Sequence, residues 1–204
     1  MTRRRALMAQ VESSGRLPAE YQEVEYLEST GTQYIDTGIH TDPDIGIFAK
    51  LYTISTGNKS WFGSNNNTYA SLILNAYSPT EIEYQYGNDY WGRKTFANAV
   101  NSILEIHFTT DQQLIINDTV VVSNLRRITG RSSGSIHLFV RSGGSAFVVG
   151  RAYTFKIYYG AAKVLDLIPC YRKMDSKPGM YDLVSGTFFT NQGTGEFTVG
   201  ADVN

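Results

Sequence analysis

The chain has a single cysteine, Cys170, in 204 residues. No intramolecular disulfide can form and no cysteine-based zinc cluster can be assembled, so the fold must hold without such staples. An excess of either charge is also missing: 18 Lys and Arg stand against 19 Asp and Glu, a formal charge of -1. Without a global basic field, neither nucleic acid nor an anionic membrane surface is expected as a partner. Long hydrophobic runs are lacking too, and no stretch approaches the length of a membrane span, so membrane insertion is not expected. The opening MTRRRALMAQVESSGR begins with positive charge like a secretory signal, but Gln10 interrupts its apolar stretch and Glu12 ends it. With no such signal expected, contact with an extracellular ligand would require release by lysis or carriage on a larger particle. Finally, no helical stripe of useful length and no repeat of fixed period can be found, which sets aside propellers and solenoids.

What the chain does have is glycine and aromatics: 19 Gly, 14 Tyr and 10 Phe. Glycine enters turns at positive φ and aromatics favour strands, so the composition predicts an all-β chain. A single domain of this length buries roughly 70% of its unfolded surface, which makes one core the economical solution. Period-two alternation is legible along the chain. In ILEIHFTTD, Leu104, Ile106 and Phe108 oppose Glu105, His107 and Thr109. In SIHLFVRS, Ile136, Leu138 and Val140 oppose His137, Phe139 and Arg141, and in RAYTFKIYYG, Tyr153, Phe155, Ile157 and Tyr159 oppose Thr154, Lys156 and Tyr158. Asn117-Asp118 and Gly160-Ala161 read as two-residue hairpin turns. The runs total roughly a dozen short strands, as in an antiparallel sandwich or barrel. Residues 1 to 16 read as a separate arm, in which Arg3, Arg4, Arg5 and the apolar Ala6, Leu7 and Met8 precede Ser13, Ser14 and Gly15.

Two end segments carry more specific information. LPAEYQEVEYLESTGTQYIDTG at the front and AYTFKIYYGAAKVLDLIPCYRKMDSKPGMYDLVSGTFFTNQGTGEFTVG at the back resemble laminin-G-like, concanavalin A-type lectin/glucanase domains. Relatives of that kind are common in bacteriophages, prophages and gut bacteria. The resemblance covers Leu17 to Gly200, with the middle, residues 40 to 135, matching only as a strand pattern. It implies one jelly-roll β-sandwich over residues 17 to 204, whose first and last strands are neighbours. LESTGTQYIDTG would then be a closure device, with Ser29, Thr30 and Gly31 as its turn. Met180, Tyr181, Leu183, Phe188 and Phe189 would pack around the Ser185-Gly186 turn, and Cys170 would sit beside Ile168 as a small buried hydrophobe.

Few residues offer chemistry. In EIEYQYG, Glu81, Glu83 and Gln85 share one strand face. Laminarinase-type members of the resembled superfamily carry a Glu-x-Asp-x-Glu-like motif there, with the outer glutamates as nucleophile and acid/base. An amide at Gln85 cannot donate and recover a proton, so the two-carboxylate mechanism lacks a partner unless another carboxylate, Asp89 being nearest in sequence, supplies it. His40, His107 and His137 stand apart and read as solvated side chains rather than metal ligands. Asp42 and Asp44 in HTDPDIG are candidates for a calcium site of the laminin-G sort; no other cofactor is expected.

Binding is the better expectation. A sugar site pairs an aromatic platform for C–H faces with amide, carboxylate or guanidinium groups for hydroxyls. WFGSNNNTY and YQYGNDYWGRK supply both: Trp61, Tyr90 and Trp91 as platforms, with Asn65, Asn66, Asn88, Asp89 and Arg93 as polar partners. The sequence therefore predicts a non-catalytic module binding a cell-surface glycan on a phage or prophage virion, in a tail, fibre or capsid-surface protein. The arm would contact other virion proteins, and a homo-oligomer, such as a trimer, would suit a fibre. Two alternatives stay open: a purely structural decoration protein with no sugar site, and a divergent glycoside hydrolase.

Overall fold

The computed structural model describes residues 15–64, 72–87 and 91–204. The predicted arm, apart from Gly15 and Arg16, lies outside the described residues; Arg16 is ion-paired with Glu23 on the first strand. Seventeen strands and no helix are present among the described residues, arranged as two antiparallel sheets in a sandwich.

The larger sheet runs β11 (Thr119–Val122), β10 (Leu114–Ile116), β9 (Ile103–Phe108), β4 (Ile45–Thr53), β13 (Val149–Tyr159), β14 (Ala162–Arg172), β15 (Lys177–Asp182) and β16 (Phe188–Thr190). Three short strands complete it: β1 (Tyr21–Glu23) pairs with β14, while β2 (Leu27–Thr30) lies between β13 and β17 (Thr198–Val199). The smaller sheet runs β3 (Ile35–His40), β12 (Ser135–Leu138), β5 (Lys59–Ser64), β6 (Leu72–Ser78), β7 (Glu81–Tyr86) and β8 (Trp91–Thr95).

The two sheets are joined by their inward residues. Phe62 and Tyr86 from the smaller sheet meet Phe108 and Phe155 from the larger one, with centroids 5.4 to 6.1 Å apart. All four rings are buried, and Tyr86 also donates its hydroxyl to the Ile45 carbonyl at 3.0 Å. Truncating a buried Phe of this kind to Ala costs about 3–5 kcal/mol. A second apolar cluster lies on the far side of the larger sheet, where Leu17 and Tyr21 cover Ile168 and Cys170. Burial pushes the Cys170 thiol up to about 12, fitting a packing role for the side chain.

The ends meet as the resemblance implies. β17 pairs with β2, β2 with β13, and β1 with β14. LESTGTQYIDTG forms a corner between the layers: β2 belongs to the larger sheet and β3 to the smaller, so the turn carries the chain from one to the other. Gln33 holds that corner by accepting the Thr30 N–H at 2.8 Å through Oε1. The C-terminal TNQGTG closes over it, Asn191 Oδ1 accepting the N–H groups of Tyr34 at 3.1 Å and Gly193 at 2.8 Å. Only glycine fits at 193, because a Cβ there would stand 2.0 Å from the Thr32 carbonyl oxygen. Next to the Ser185-Gly186 turn, buried Asp182 accepts from the backbone N–H groups of Asp166, Val184 and Ser185 and from the Ser185 hydroxyl.

Alternation held where strands are regular and failed where they bulge. Leu104, Ile106 and Phe108 point inward, and Asn117-Asp118 forms its hairpin with φ of 47° and 59°. Tyr153 does not join Phe155 and Ile157 in the core. A register shift between Ala152 and Thr154 turns it outward, where its ring meets Tyr26 edge-on. Phe139, expected on the outer face, is buried; its φ of 72° ends β12 and swings the ring onto Phe197.

Candidate functional site

The outward face of the smaller sheet carries a concentration of polar side chains, several of them buried. Its geometry follows from register. Asn75 lies opposite Ser60 on one side and Glu83 on the other, and Glu83 lies opposite Arg93; in the next row Gln85 lies opposite Trp91. Directly opposed residues share a face, so side chains from β5, β6, β7 and β8 converge although they are far apart in sequence.

The first row forms a connected relay. The Ser60 hydroxyl donates to Asn75 Oδ1 at 2.6 Å, and Asn75 Nδ2 donates to Asn58 Oδ1 at 2.6 Å and to Glu83 Oε1 at 3.2 Å. Arg93 Nε donates to Glu83 Oε2 at 2.8 Å, and its guanidinium lies 3.6 Å from the centroid of the Tyr77 ring. Ser60, Asn75 and Glu83 are buried, whereas the Arg93 side chain is half exposed. The ion pair therefore joins a buried floor to an open rim. Its exposed half is screened by water, but removing Arg93 would leave a buried carboxylate with only an amide donor.

The second row is incomplete. Gln85 is only 4% exposed, and its Oε1 has no hydrogen-bond partner among the described residues. A buried acceptor left without a donor costs about 1–3 kcal/mol, so most proteins do not keep one without a reason. Trp91, directly across from Gln85, is 39% exposed on the edge strand β8. An open indole thus stands beside an acceptor lacking a donor.

The predicted site residues separate clearly. Trp91 and Arg93 are brought together on one face. Trp61 is not a platform: it is 2% exposed and packed in the core. The register shift between Ser60 and Phe62 is the physical reason, since the extra residue takes Trp61 out of the outward alternation. Asn65, Asn66, Asn88, Asp89 and Tyr90 lie outside the described residues.

Other candidates have local duties. Asp44 pairs with Arg127 at 3.0 Å, and Asp42 accepts the Asp44 N–H and the Ile45 N–H. No group of three His, Cys, Asp or Glu side chains able to hold a metal occurs among the described residues. His40 Nδ1 lies 2.8 Å from the Ser132 carbonyl. His107 and His137 are half-buried rather than solvated, and burial lowers the pKa of both, Asp36 opposing that shift at His137. His137 stacks on Tyr34 with centroids 4.9 Å apart.

Sequence reasoning missed Ser60, Asn75 and Tyr77 altogether and read Gln85 only as a broken catalytic position. No local motif could have found them, because the relay exists only across four strands. The one usable signal was the even spacing of Glu81, Glu83 and Gln85.

No protein-family model matches the chain, and no curated protein matches it by sequence. Its fold is similar to that of a Bacteroides ovatus protein proposed to bind carbohydrate, known from a crystal structure at 1.50 Å resolution. The TM-score is 0.52 at 12% identity over 89% of this chain, which spans 62% of the length of that neighbour. The likeness shows a shared β-sandwich fold.

Proposed function

We propose that the outward face of the six-stranded sheet binds carbohydrate without catalysis, with Trp91 as the stacking platform and Gln85 as the buried acceptor for a sugar hydroxyl. The observation that carries this reading is the cross-strand Gln85–Trp91 pair, in which an orphaned acceptor and an open indole share one face. Arg93, fixed by Glu83 and Tyr77, presents the remainder of its guanidinium at the rim. The fold neighbour, itself proposed to bind carbohydrate, supports the same class of ligand.

Hydrolysis fits less well. Both oxygens of Glu83 already accept hydrogen bonds, from Asn75 and Arg93, and the following position on that face is the amide of Gln85. A two-carboxylate mechanism requires an acid that can exchange its proton during the reaction.

The finer reading is a phage or prophage virion component that touches a host-surface glycan, with residues 1 to 16 anchoring it to neighbouring virion proteins. It rests on the resemblance of the two end segments and on the basic and apolar character of Arg3 to Met8. Deletion of residues 1 to 16 is expected to leave glycan binding intact and to abolish incorporation into particles; unchanged incorporation would refute the anchoring role.

The decisive test is a glycan-array screen of the full chain beside Trp91→Ala. Selective binding that the variant loses supports the site. A well-folded chain that binds no glycan would leave the structural, decoration-protein reading in its place.

A further inference from the structure

A groove of about 440 Å³ opens on the opposite side of the sandwich, on the outward face of the eleven-stranded sheet. Its floor is Gly46 on β4. The outward positions of that strand are 46, 48, 50 and 52, and at 46 the side chain is missing. A Cβ there would stand 3.3 Å from the Phe108 carbonyl oxygen and 3.3 Å from Thr110 Cγ2, so the Thr109–Thr110 turn closes down on the strand at this glycine. A larger side chain would press on that turn and reshape the groove.

The walls are of two kinds. Tyr158, paired directly with Gly46, forms an aromatic side; Phe48 closes one end, with His107 edge-on to it at 6.1 Å between centroids. The polar side is the turn Thr109 to Asp111, with the Thr109 hydroxyl, which accepts the Gln113 N–H at 3.0 Å and keeps its own proton to donate, Thr110, whose methyl lies nearest Gly46, and the Asp111 carboxylate. Lys156, next to Phe48, is engaged by Asp166 at 3.6 Å and does not line the groove. Among the described lining residues there is no Lys or Arg, and the one full charge is the negative Asp111. Burial lowers the pKa of His107, which fits an uncharged wall near neutral pH.

We infer that this groove is a second sugar site, taking a single neutral hexose unit with its C–H face on Tyr158 and Phe48 and its hydroxyls on Thr109, Thr110 and Asp111. The volume lies in the range of small-molecule pockets, and an aromatic wall opposite a few convergent polar groups is the chemistry that a neutral ring of hydroxyls requires. A carboxylated or sulfated sugar would meet the Asp111 carboxylate at the polar wall, while the Lys156 ammonium, 5.9 Å from the Phe48 centroid, is shared with Asp166 outside the lining. The inference rests on the carbohydrate reading for ligand class but on different residues, in a different sheet. Two sites facing opposite ways would let one molecule hold two glycan chains, which raises avidity without new contacts at either site.

The test is amide-resolved NMR titration of the full chain with cellohexaose, laminarihexaose, mannohexaose and a galacto-oligosaccharide at millimolar concentration, repeated with Trp91→Ala, Tyr158→Ala and Gly46→Val. The expected result is saturable shifts at Gly46, Thr109 to Asp111 and Gly160 that persist in Trp91→Ala. They should weaken about tenfold in Tyr158→Ala and vanish in Gly46→Val, while shifts around Gln85 and Trp91 remain in both. Retained dispersion of the remaining amides verifies that each variant is folded. Shifts confined to Gln85 and Trp91 would overturn the second site and leave the first standing. Shifts confined to the Gly46 groove would support the second and remove the first. No shifts with any of the four sugars would overturn both.

Discussion

The closure region and the outward face of the smaller sheet use the same side-chain types to opposite ends. At the closure, Gln33, Asn191 and Asp182 each have acceptors that serve two or more donors, and backbone N–H groups are among the donors to all three. On the outward face, Gln85 is as deeply buried, yet its acceptor receives nothing among the described residues. An amide that saturates backbone groups fixes the fold. One left unsatisfied returns nothing in stability for its desolvation, and that contrast is what the proposed site rests on.

Separating the two regions by mutation gives the sharpest check. Asp182→Ala removes the acceptor of three backbone N–H groups and a hydroxyl, and should lower unfolding free energy by about 2–3 kcal/mol in a denaturant titration, with glycan affinity unchanged in the surviving folded protein. Trp91→Ala should do the reverse: a loss of tenfold or more in affinity by calorimetry, about 1.4 kcal/mol or more, with the unfolding midpoint shifted little. A large loss of stability in Trp91→Ala would make the indole a structural residue and erase the contrast. Gln85→Leu sharpens it further. Removing an acceptor that bonds to nothing should leave stability within about 1 kcal/mol of wild type while abolishing sugar binding.

The smallest expected effect is on pH. Burial lowers the pKa values of His107 and His137 in the folded state, so the unfolded chain takes up protons first as pH falls. That contribution to stability is complete above the ordinary histidine value, near 6.5, and is lost as pH falls from there toward the lowered folded values. Asp182 adds a second, more acidic window. Burial raises its pKa, but hydrogen bonds from Ser185 and from the backbone N–H groups of Asp166, Val184 and Ser185 outweigh that and lower it. Its contribution is present above the ordinary aspartate value and is lost as pH falls through the folded one. Melting curves from pH 7.5 to 5 should show the histidine step, and His137→Gln should reduce it; an unchanged step in both His137→Gln and His107→Gln would refute the assignment.

How far the sequence could be read depended on whether the information was local. The hairpin at Asn117-Asp118 needed only two residues that tolerate positive φ, and the inward Leu104, Ile106 and Phe108 needed only a period of two. Trp91 and Arg93 were legible as exposed groups beside a turn-rich segment. Trp61 looked equivalent in composition, but a bulge one residue long reversed its side. Tyr153 and Phe139 failed for the same kind of reason: one register shift and one residue at φ 72°.

The sequence by itself determined the all-β class and the inward faces of the regular strands, while the meeting of the first and last strands was what the resemblance of its end segments implied. The first two follow from alternation and turn chemistry, which act between near neighbours. Tertiary structure alone decided that LESTGTQYIDTG spans two sheets, that Trp61 belongs to the core, and that Ser60, Asn75, Glu83 and Arg93 form one relay beside the Gln85–Trp91 pair. Those outcomes depend on the register between strands. Register is set by bulges and by packing against the opposite sheet, and a slip of a single residue moves every side chain that follows to the other face.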